Sequence, residues 1–486
     1  MRIHRITGLA LLLALALAPL GLAQKSGGTT AEKKPAKKAD KKTAPATETM
    51  PAAAAKPAGI APLKFSDTKL ANGLRVIIAE DHSAPVFGIA ITYNVGSRNE
   101  RPGRTGFAHL FEHMMFEGSE NVGKGEHFIL IENNGGGMNG TTNEDRTNYY
   151  EILPKNQLEL ALFLEADRMG RLAFTQEKLD NQRKAVQEER RLSYDNEPYG
   201  KSGLELDNLA YDNFSYKHST IGEMSDLNAA SLADVEDFFR IYYAPNNAVL
   251  TLVGDLDTQQ TLTLANKYFG GFKAQTEPPH PNLAEPEHYG ERRETIIDPL
   301  ARLPLILIAY HIPAGNTSDN YAMQVLANIL STGRSSRLYQ RLVKEKQLAT
   351  SISVDPDSRI GPSMLYIQAM PRPGVKPEDL EKAIYDEIAA VQKDGVTAAE
   401  LDKARTLERR SLIQARQSSL QTAMRLGQYA VYFNDPELIN HIYDKFAAVN
   451  ADQVKAAASK YLVPTERSVV ITLPPAKPQA PATAGN

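Results

Sequence analysis

From Leu63 onward the apolar positions of the chain fall into short blocks whose period switches between two and about four. Residues 65–81 (FSDTKLANGLRVIIAED) predict a strand, an Asn-Gly turn and a second strand. Residues 86–95 (VFGIAITYNV) form a continuous apolar run of strand length, which predicts a buried strand. Amphipathic helical periods follow near 105–118, 155–172, 175–193 and 231–241. Residues 242–257 (YYAPNNAVLTLVGDLD) then predict a helix end, a proline stop and a strand.

The end of the chain repeats this last pattern. Val454, Tyr461 and Pro464 stand 219 residues after Val235, Tyr242 and Pro245, and Val469 and Ile471 stand 219 after Leu250 and Leu252. A single offset shared by helix, proline stop and strand indicates an internal duplication. Residues 276–292, rich in proline and charge, predict a linker between the copies. The second copy opens on LPLILIAYHI (303–312), too short to span a membrane and expected as a central strand. Strands mixed with long helices imply an α+β class, with two homologous α/β-sandwich domains.

Composition narrows the chemistry. The 486 residues are 42% hydrophobic, enough to fill more than one core, and include no Cys and no Trp. Disulfides, thiolate zinc fingers, iron–sulfur clusters and cysteine nucleophiles are therefore excluded, and any metal must be held by His, Asp or Glu. Residues 1–60 carry ten Lys/Arg against three acids, leaving 45 against 55 in the rest. So acidic a body argues against nucleic acid as a partner.

The N-terminus reads as an export signal. Arg2 and Arg5 precede an apolar run from Leu9 to Leu22 that is broken by Pro19 and ends in small residues. The expectation is a signal peptide over 1–23, with an uncleaved anchor as the alternative. Without Cys there is no lipoprotein anchor, and after cleavage no membrane-spanning segment is expected. Residues 24–60, rich in Lys, Ala and Pro, are expected to form a disordered linker, and 477–486 a disordered tail.

One helix concentrates the candidate chemistry. TGFAHLFEHMMFEGS (105–119) contains His109-Leu-Phe-Glu112-His113. Side chains four apart on a helix lie one above the other, so both imidazoles can hold one ion. The surrounding Phe107, Leu110, Phe111, Met114, Met115 and Phe116 make the helix apolar nearly all round, hence buried. A buried Glu112 without an ionic partner would be costly, which favours a metal site. A third ligand is expected from the helix at 177–198. There Leu179 and Val186 mark one edge of an apolar arc, and Ala185 and Leu192 the other. Glu189 falls at the arc's centre and is the expected ligand; Glu188 is the alternative.

These residues together resemble the pitrilysin/insulysin (inverzincin) zinc metallopeptidases, in particular the short two-domain branch that includes the mitochondrial processing peptidases. The resemblance runs over 63–475. It rests on His109-x-x-Glu112-His113, an acid 76 positions after the second His (Glu189), GGGMNGTTNEDRTNYY (135–150) and the segment 216–257. It implies one Zn²⁺ per chain held by His109, His113 and Glu189. It also implies Glu112 as the general base that takes a proton from the attacking water and passes it to the leaving amine. Zinc would lower the pKa of that water to about 7. Gly136, Gly137 and Asn139 would bind an extended peptide through their main chain. The implied layout is a zinc-binding catalytic domain over 61–275 and a homologous inactive domain over 293–476.

Two departures qualify the resemblance. Where relatives carry another Glu seven residues before the ligand Glu, this chain has Gln182. Where the second half of relatives supplies an Arg and a Tyr that grip substrate, Lys344 and Thr350 stand here, while Arg334, Arg337 and Tyr339 are expected on a preceding helix. Lacking that clamp, the chain is expected to pair with a second exported two-domain subunit that lacks the zinc motif; a homodimer is the alternative. The implied activity is endoproteolysis of extended peptides or small unfolded proteins in the periplasm or outside the cell. The alternative is a non-catalytic, peptide-binding subunit.

Overall fold

The computed structural model describes residues 59–287 and 290–476. The signal peptide, the tail and all but the last two residues of the N-terminal linker lie outside them. Eleven strands form two sheets among the described residues. The first contains β1 (Ser66–Lys69), β2 (Arg75–Glu80), β3 (Val86–Tyr93), β4 (Gly137–Thr142), β5 (Thr147–Pro154) and β6 (Ala248–Gly254), in the order β1-β2-β6-β3-β5-β4. The second contains β7 (Arg292–Ile297), β8 (Leu305–Ile312), β9 (Ala349–Asp357), β10 (Ser363–Pro371) and β11 (Arg467–Leu473), in the order β7-β11-β8-β10-β9. In each sheet one parallel pair, β2–β6 or β7–β11, adjoins an antiparallel ladder. The second sheet is thus the first without β1.

The 219-residue offset is exact at the end of each copy. Helix Leu232–Tyr242, the 3₁₀ turn Pro245–Asn247 and β6 recur as Ala451–Tyr461, Pro464–Glu466 and β11. Proline at the first position of the turn has no amide hydrogen to lose there, so it stops the helix and starts the turn at little cost.

The two copies also exchange helices. Helix Gly200–Ala210 belongs to the first copy by sequence, yet its Leu206 and Ala210 pack with Ala309, Tyr366 and Val470 of the second sheet. Helix Ser419–Phe433 stands at the corresponding place in the second copy. Its Ala423, Leu426 and Ala430 cover Ile77, Ala90, Val249 and Val253 of the first sheet. Gly88 on β3 makes this approach possible, because a Cβ there would lie 2.5 Å from the Leu420 Cα. Each sheet therefore has one face covered by the other copy, an arrangement that local periodicity does not reveal.

A buried polar joint ties the β4–β5 turn to the second copy. The Asp145 carboxylate accepts from Arg98 (2.7 Å), Tyr216 (2.8 Å) and the Ile360 amide (2.8 Å). Arg359, only 2% exposed, bonds Glu144 (3.2 Å) and lies 4.9 Å from the ring centres of Tyr211 and Tyr216.

Candidate metal centre

The helix bearing the motif runs Phe107–Met114, shorter than the 105–118 expected. Gly106 takes φ +83° immediately before it, so the backbone cannot continue as helix in that direction. The Glu100 carboxylate accepts from the amides of Gly106 (2.9 Å) and Ala108 (2.7 Å) and so places negative charge at the positive helix end. His218 holds Glu100 from the other side at 2.9 Å. All of the helix except His113 is buried, and His113 is half-buried.

Three of the expected ligands converge. The Glu189 Oε2 lies 3.3 Å from His113 Nε2 and 3.6 Å from His109 Nε2, and the three donor atoms lie within 4.8 Å of one another. Two imidazole nitrogens and one carboxylate form a donor set suited to zinc, and three protein ligands are what an open, catalytic site uses. Burial lowers the His109 pKa to about 4, which leaves its ring neutral and able to ligate at neutral pH. Burial is the largest influence on His113 and opposes its charge, but the bond and charge of Glu189, with Glu112 and Gln182, together outweigh it and the pKa is raised. His113 Nδ1 meets Gln182 Oε1 at 3.2 Å, whereas the buried His109 Nδ1 has no hydrogen-bond partner.

Glu188 does not join them. It is exposed and pairs with Arg191 at 3.0 Å. The arc used to choose between the two acids needs correction, however. Leu179 and Val186 are fully buried, but Ala185 and Leu192 are exposed, Leu192 by 51%. The buried face of helix Gln176–Arg190 is instead completed by Gln187 and Arg190. Glu189 therefore sits at the border of the buried face, where a carboxylate can reach a site and still meet water.

Glu112 is 5% exposed, and burial raises its pKa while a 2.6 Å bond from Thr142 Oγ1 opposes the shift. A raised carboxylate pKa suits a proton acceptor that must later act as a donor. Strand β4 passes directly beside this side chain. A Cβ at Gly140 would lie 3.0 Å from Glu112 Cγ, so glycine is what lets the strand and the carboxylate coexist. β4 is one of the two edge strands of its sheet, pairing with β5 alone. Gly137 and Asn139 lie on it and Gly136 immediately precedes it. Asn139 Oδ1 accepts from the Gly140 amide at 2.8 Å.

The second copy contributes none of its expected clamp residues to this cluster. Lys344 is exposed on the helical segment Tyr339–Glu345, and Thr350 is exposed on β9, where its hydroxyl donates to the Met370 carbonyl (3.1 Å). Arg337 and Tyr339 both lie in this helical stretch, where Arg337 bonds Glu400 at 2.7 Å. Arg334 lies in a turn rather than on a helix, because Gly333 takes φ +81° just before it.

Several residues at the site are not evident from the sequence. Thr142 lies within the 135–150 stretch but its bond to Glu112 is not readable there, and Glu117 meets Gln182 only through folding. A second buried group, His127, Glu151 and Glu165, has metal-like donors in scattered positions. Arg168 already serves there as the cation: it bonds Glu165 through Nε (2.9 Å) and Nη2 and lies 4.4 Å from the Tyr149 ring centre. A divalent ion beside a buried guanidinium would meet strong repulsion, so this group is structural. The Glu–x–x–Arg spacing at 165 and 168 within an apolar helix is the one signal that could have flagged it.

The chain is similar to known proteins over most of its length. Residues 75–222 match the family described as Insulinase (Peptidase family M16), and 229–408 match the Peptidase M16 inactive domain. Zinc protease PqqE of Helicobacter pylori is 30% identical over 414 residues, covering 85% of this chain and 93% of that protein. The uncharacterized zinc protease YmxG of Bacillus subtilis is 25% identical over 80% of this chain and 93% of its own length. The crystal structure of a protease from Helicobacter pylori superposes with a TM-score of 0.82 at 30% identity, over 85% of this chain and all of that one. The first half of the periplasmic protease PqqL from Escherichia coli shares the fold, with a TM-score of 0.69 at 19% identity, over 86% of this chain and 93% of that one. This chain belongs to peptidase family M16.

Proposed function

We propose that the chain is an exported zinc-dependent endopeptidase that hydrolyses extended peptides or small unfolded proteins in the periplasm. The observation that carries this is the convergence of His109, His113 and Glu189 beside a buried Glu112. His109, His113 and Glu189 would hold one zinc ion per chain. When bound there, zinc would supply a Lewis acid that acidifies water and offsets the negative charge developing on the peptide carbonyl.

The rest belongs to the chain's own residues. Glu112, oriented by Thr142, accepts a proton from the attacking water and returns it to the leaving amine, which balances the hydrolysis of the C–N bond. A substrate strand adds to the free edge of β4, with Gly136, Gly137 and Asn139 offering main-chain bonds beside Glu112. Recognition through the main chain selects for extended, unfolded segments rather than for one sequence. Lys344 and Thr350 stand where relatives carry a substrate clamp, so we assign that clamp to a second two-domain subunit lacking the zinc motif. Export rests on the N-terminal signal pattern. Among the described residues no helix is long and apolar enough to cross a membrane.

The test is zinc content together with cleavage of a quenched peptide library by the chain from Gln24 onward, alone and then with envelope extract. One zinc per chain and cleavage only after extract is added is the expected result. Cleavage by the pure chain as a homodimer would overturn the second subunit but keep the peptidase. A chain that takes up no zinc would overturn the reading in favour of a peptide-binding protein.

A further inference from the structure

The two histidines of the cluster are held unequally. His109 Nδ1 is buried without a partner, while His113 Nδ1 faces Gln182. Gln182 sits two turns before Glu189 on the same helix and bonds on its far side to Glu117, its Nε2 donating to Glu117 Oε1 at 2.5 Å. Glu117 lies four residues after His113, where the chain leaves the motif helix in a tight turn (Glu117 N–Met114 O 3.1 Å). It is 4% exposed, and its other oxygen is 3.0 Å from Lys124 Nζ.

We infer that Glu117 is a positioning residue that acts through Gln182 to set the metal-binding tautomer of His113; this inference rests on the zinc reading above. A carboxylate can only accept, so it forces the Gln182 amide to turn its N–H groups toward Glu117. The amide oxygen is then left facing His113 and accepts from Nδ1–H. With its proton on Nδ1, the ring presents the Nε2 lone pair toward Glu189 and the ion. A reversed amide would donate to Nδ1 and move the ring proton to Nε2, the atom that must ligate. The chain thus orients His113 through an amide, and Glu117 supplies the charge.

The test uses the chain from Gln24 onward, comparing wild type, Glu117→Gln and the exchanged pair Glu117→Gln/Gln182→Glu. Zinc affinity is read by competition with a chromophoric chelator at fixed pH, and the unfolding midpoint of each metal-free protein is read separately. Glutamine at 117 donates as readily as it accepts, so it no longer dictates the amide's orientation. Glu117→Gln is expected to weaken zinc binding about 10-fold, the lower end for loss of an outer partner. Its metal-free midpoint is expected to stay within about 2–4 °C of wild type. The exchanged pair, with a carboxylate directly on His113, is expected to recover most of the affinity.

Wild-type affinity in Glu117→Gln, or an exchanged pair that folds but recovers nothing, would overturn the inference. So would a metal-free midpoint that falls well beyond that range, which would make the role structural. Those results leave the zinc reading intact, whereas a wild-type chain that binds no zinc removes both.

Discussion

The two copies share a framework and differ in what the helix after the sheet's central strand carries. In the first copy that helix presents His109, Glu112 and His113; 219 residues later stand Asn328, Ser331 and Thr332. Glu408 stands 219 residues after Glu189, and it too touches its neighbour: Asn328 Nδ2 lies 3.5 Å from it. The acid and the contact are present in both copies, but the imidazoles are present in one. A metal-type site and a structural hydrogen bond are thus a few side chains apart on one scaffold. The sheet edges differ as well. β4 is free of proline, whereas the edge strand β9 carries Asp355, Pro356 and Asp357, which discourage strand addition. On the proposed function, both the ion and the peptide would have their place in the first copy.

The largest expected effect separates the two helices by chemistry. Glu112→Gln removes a proton acceptor and is expected to lower peptide cleavage about 10²–10⁴-fold, with zinc content unchanged by elemental analysis. Ser331→Ala, at the matching position of the second copy, is expected to leave cleavage unchanged. Normal cleavage by Glu112→Gln would end the assignment of Glu112 as base.

Next in size is the joint between the copies. Asp145→Ala leaves Arg98, 5% exposed, without its carboxylate and also strips acceptors from Tyr216 and Ile360. Breaking a buried pair of this kind costs about 3–5 kcal/mol, measurable as a lower denaturant midpoint. A change below about 1 kcal/mol would show that the turn tolerates an unpaired guanidinium better than burial suggests.

How much of this was legible follows from how local each feature is. The strand periods and the HxxEH spacing are set within a few residues, and the repeat by one constant offset, so each is readable along the chain itself. Glu189 lies 3.3 Å from His113 and 3.6 Å from His109, but the periodicity that points to it draws an arc half of which is exposed. Helical periodicity could not tell that Ala185 and Leu192 face outward, because that depends on what packs against the helix. The exchanged helices, the Asp145 joint and the Glu117–Gln182 bond join residues from 47 to more than 200 positions apart. Contacts at such separations leave no period in the sequence, so only the folded chain reveals them.

A smaller effect comes from a cap that the copies share in part. Thr175 and Thr397 each accept the amide three residues on at the start of matching helices, but that third residue is Lys178 in one and Glu400 in the other. Burial pushes the Glu400 pKa up, yet the bonds from Arg337 and Thr397 outweigh it and bring the value down to about 2, against an ordinary 4.5. With the folded value depressed, this stabilisation is present above about pH 4.5 and is lost as the pH falls toward 2. Because the pair is partly solvated, Arg337→Ala should cost no more than about 1 kcal/mol near neutrality. The deficit should vanish in acid, as followed by unfolding midpoints across that range.

The smallest expected effect tests whether side chains alone separate the copies. Asn328→His/Thr332→His would restore two imidazoles opposite Glu408. The motif helix, however, continues past His113 to Met114, whereas its counterpart ends at Ser331. Thr332 has left the helix with ψ 109°, and Gly333 follows at φ +81°. Outside the helix, position 332 no longer stands one turn above 328, so the second imidazole points away from the first. Zinc stoichiometry is therefore expected to stay at one per chain by elemental analysis. A second equivalent of zinc would show that the helix end is no barrier, and that the loss of two histidines is the whole difference between the copies.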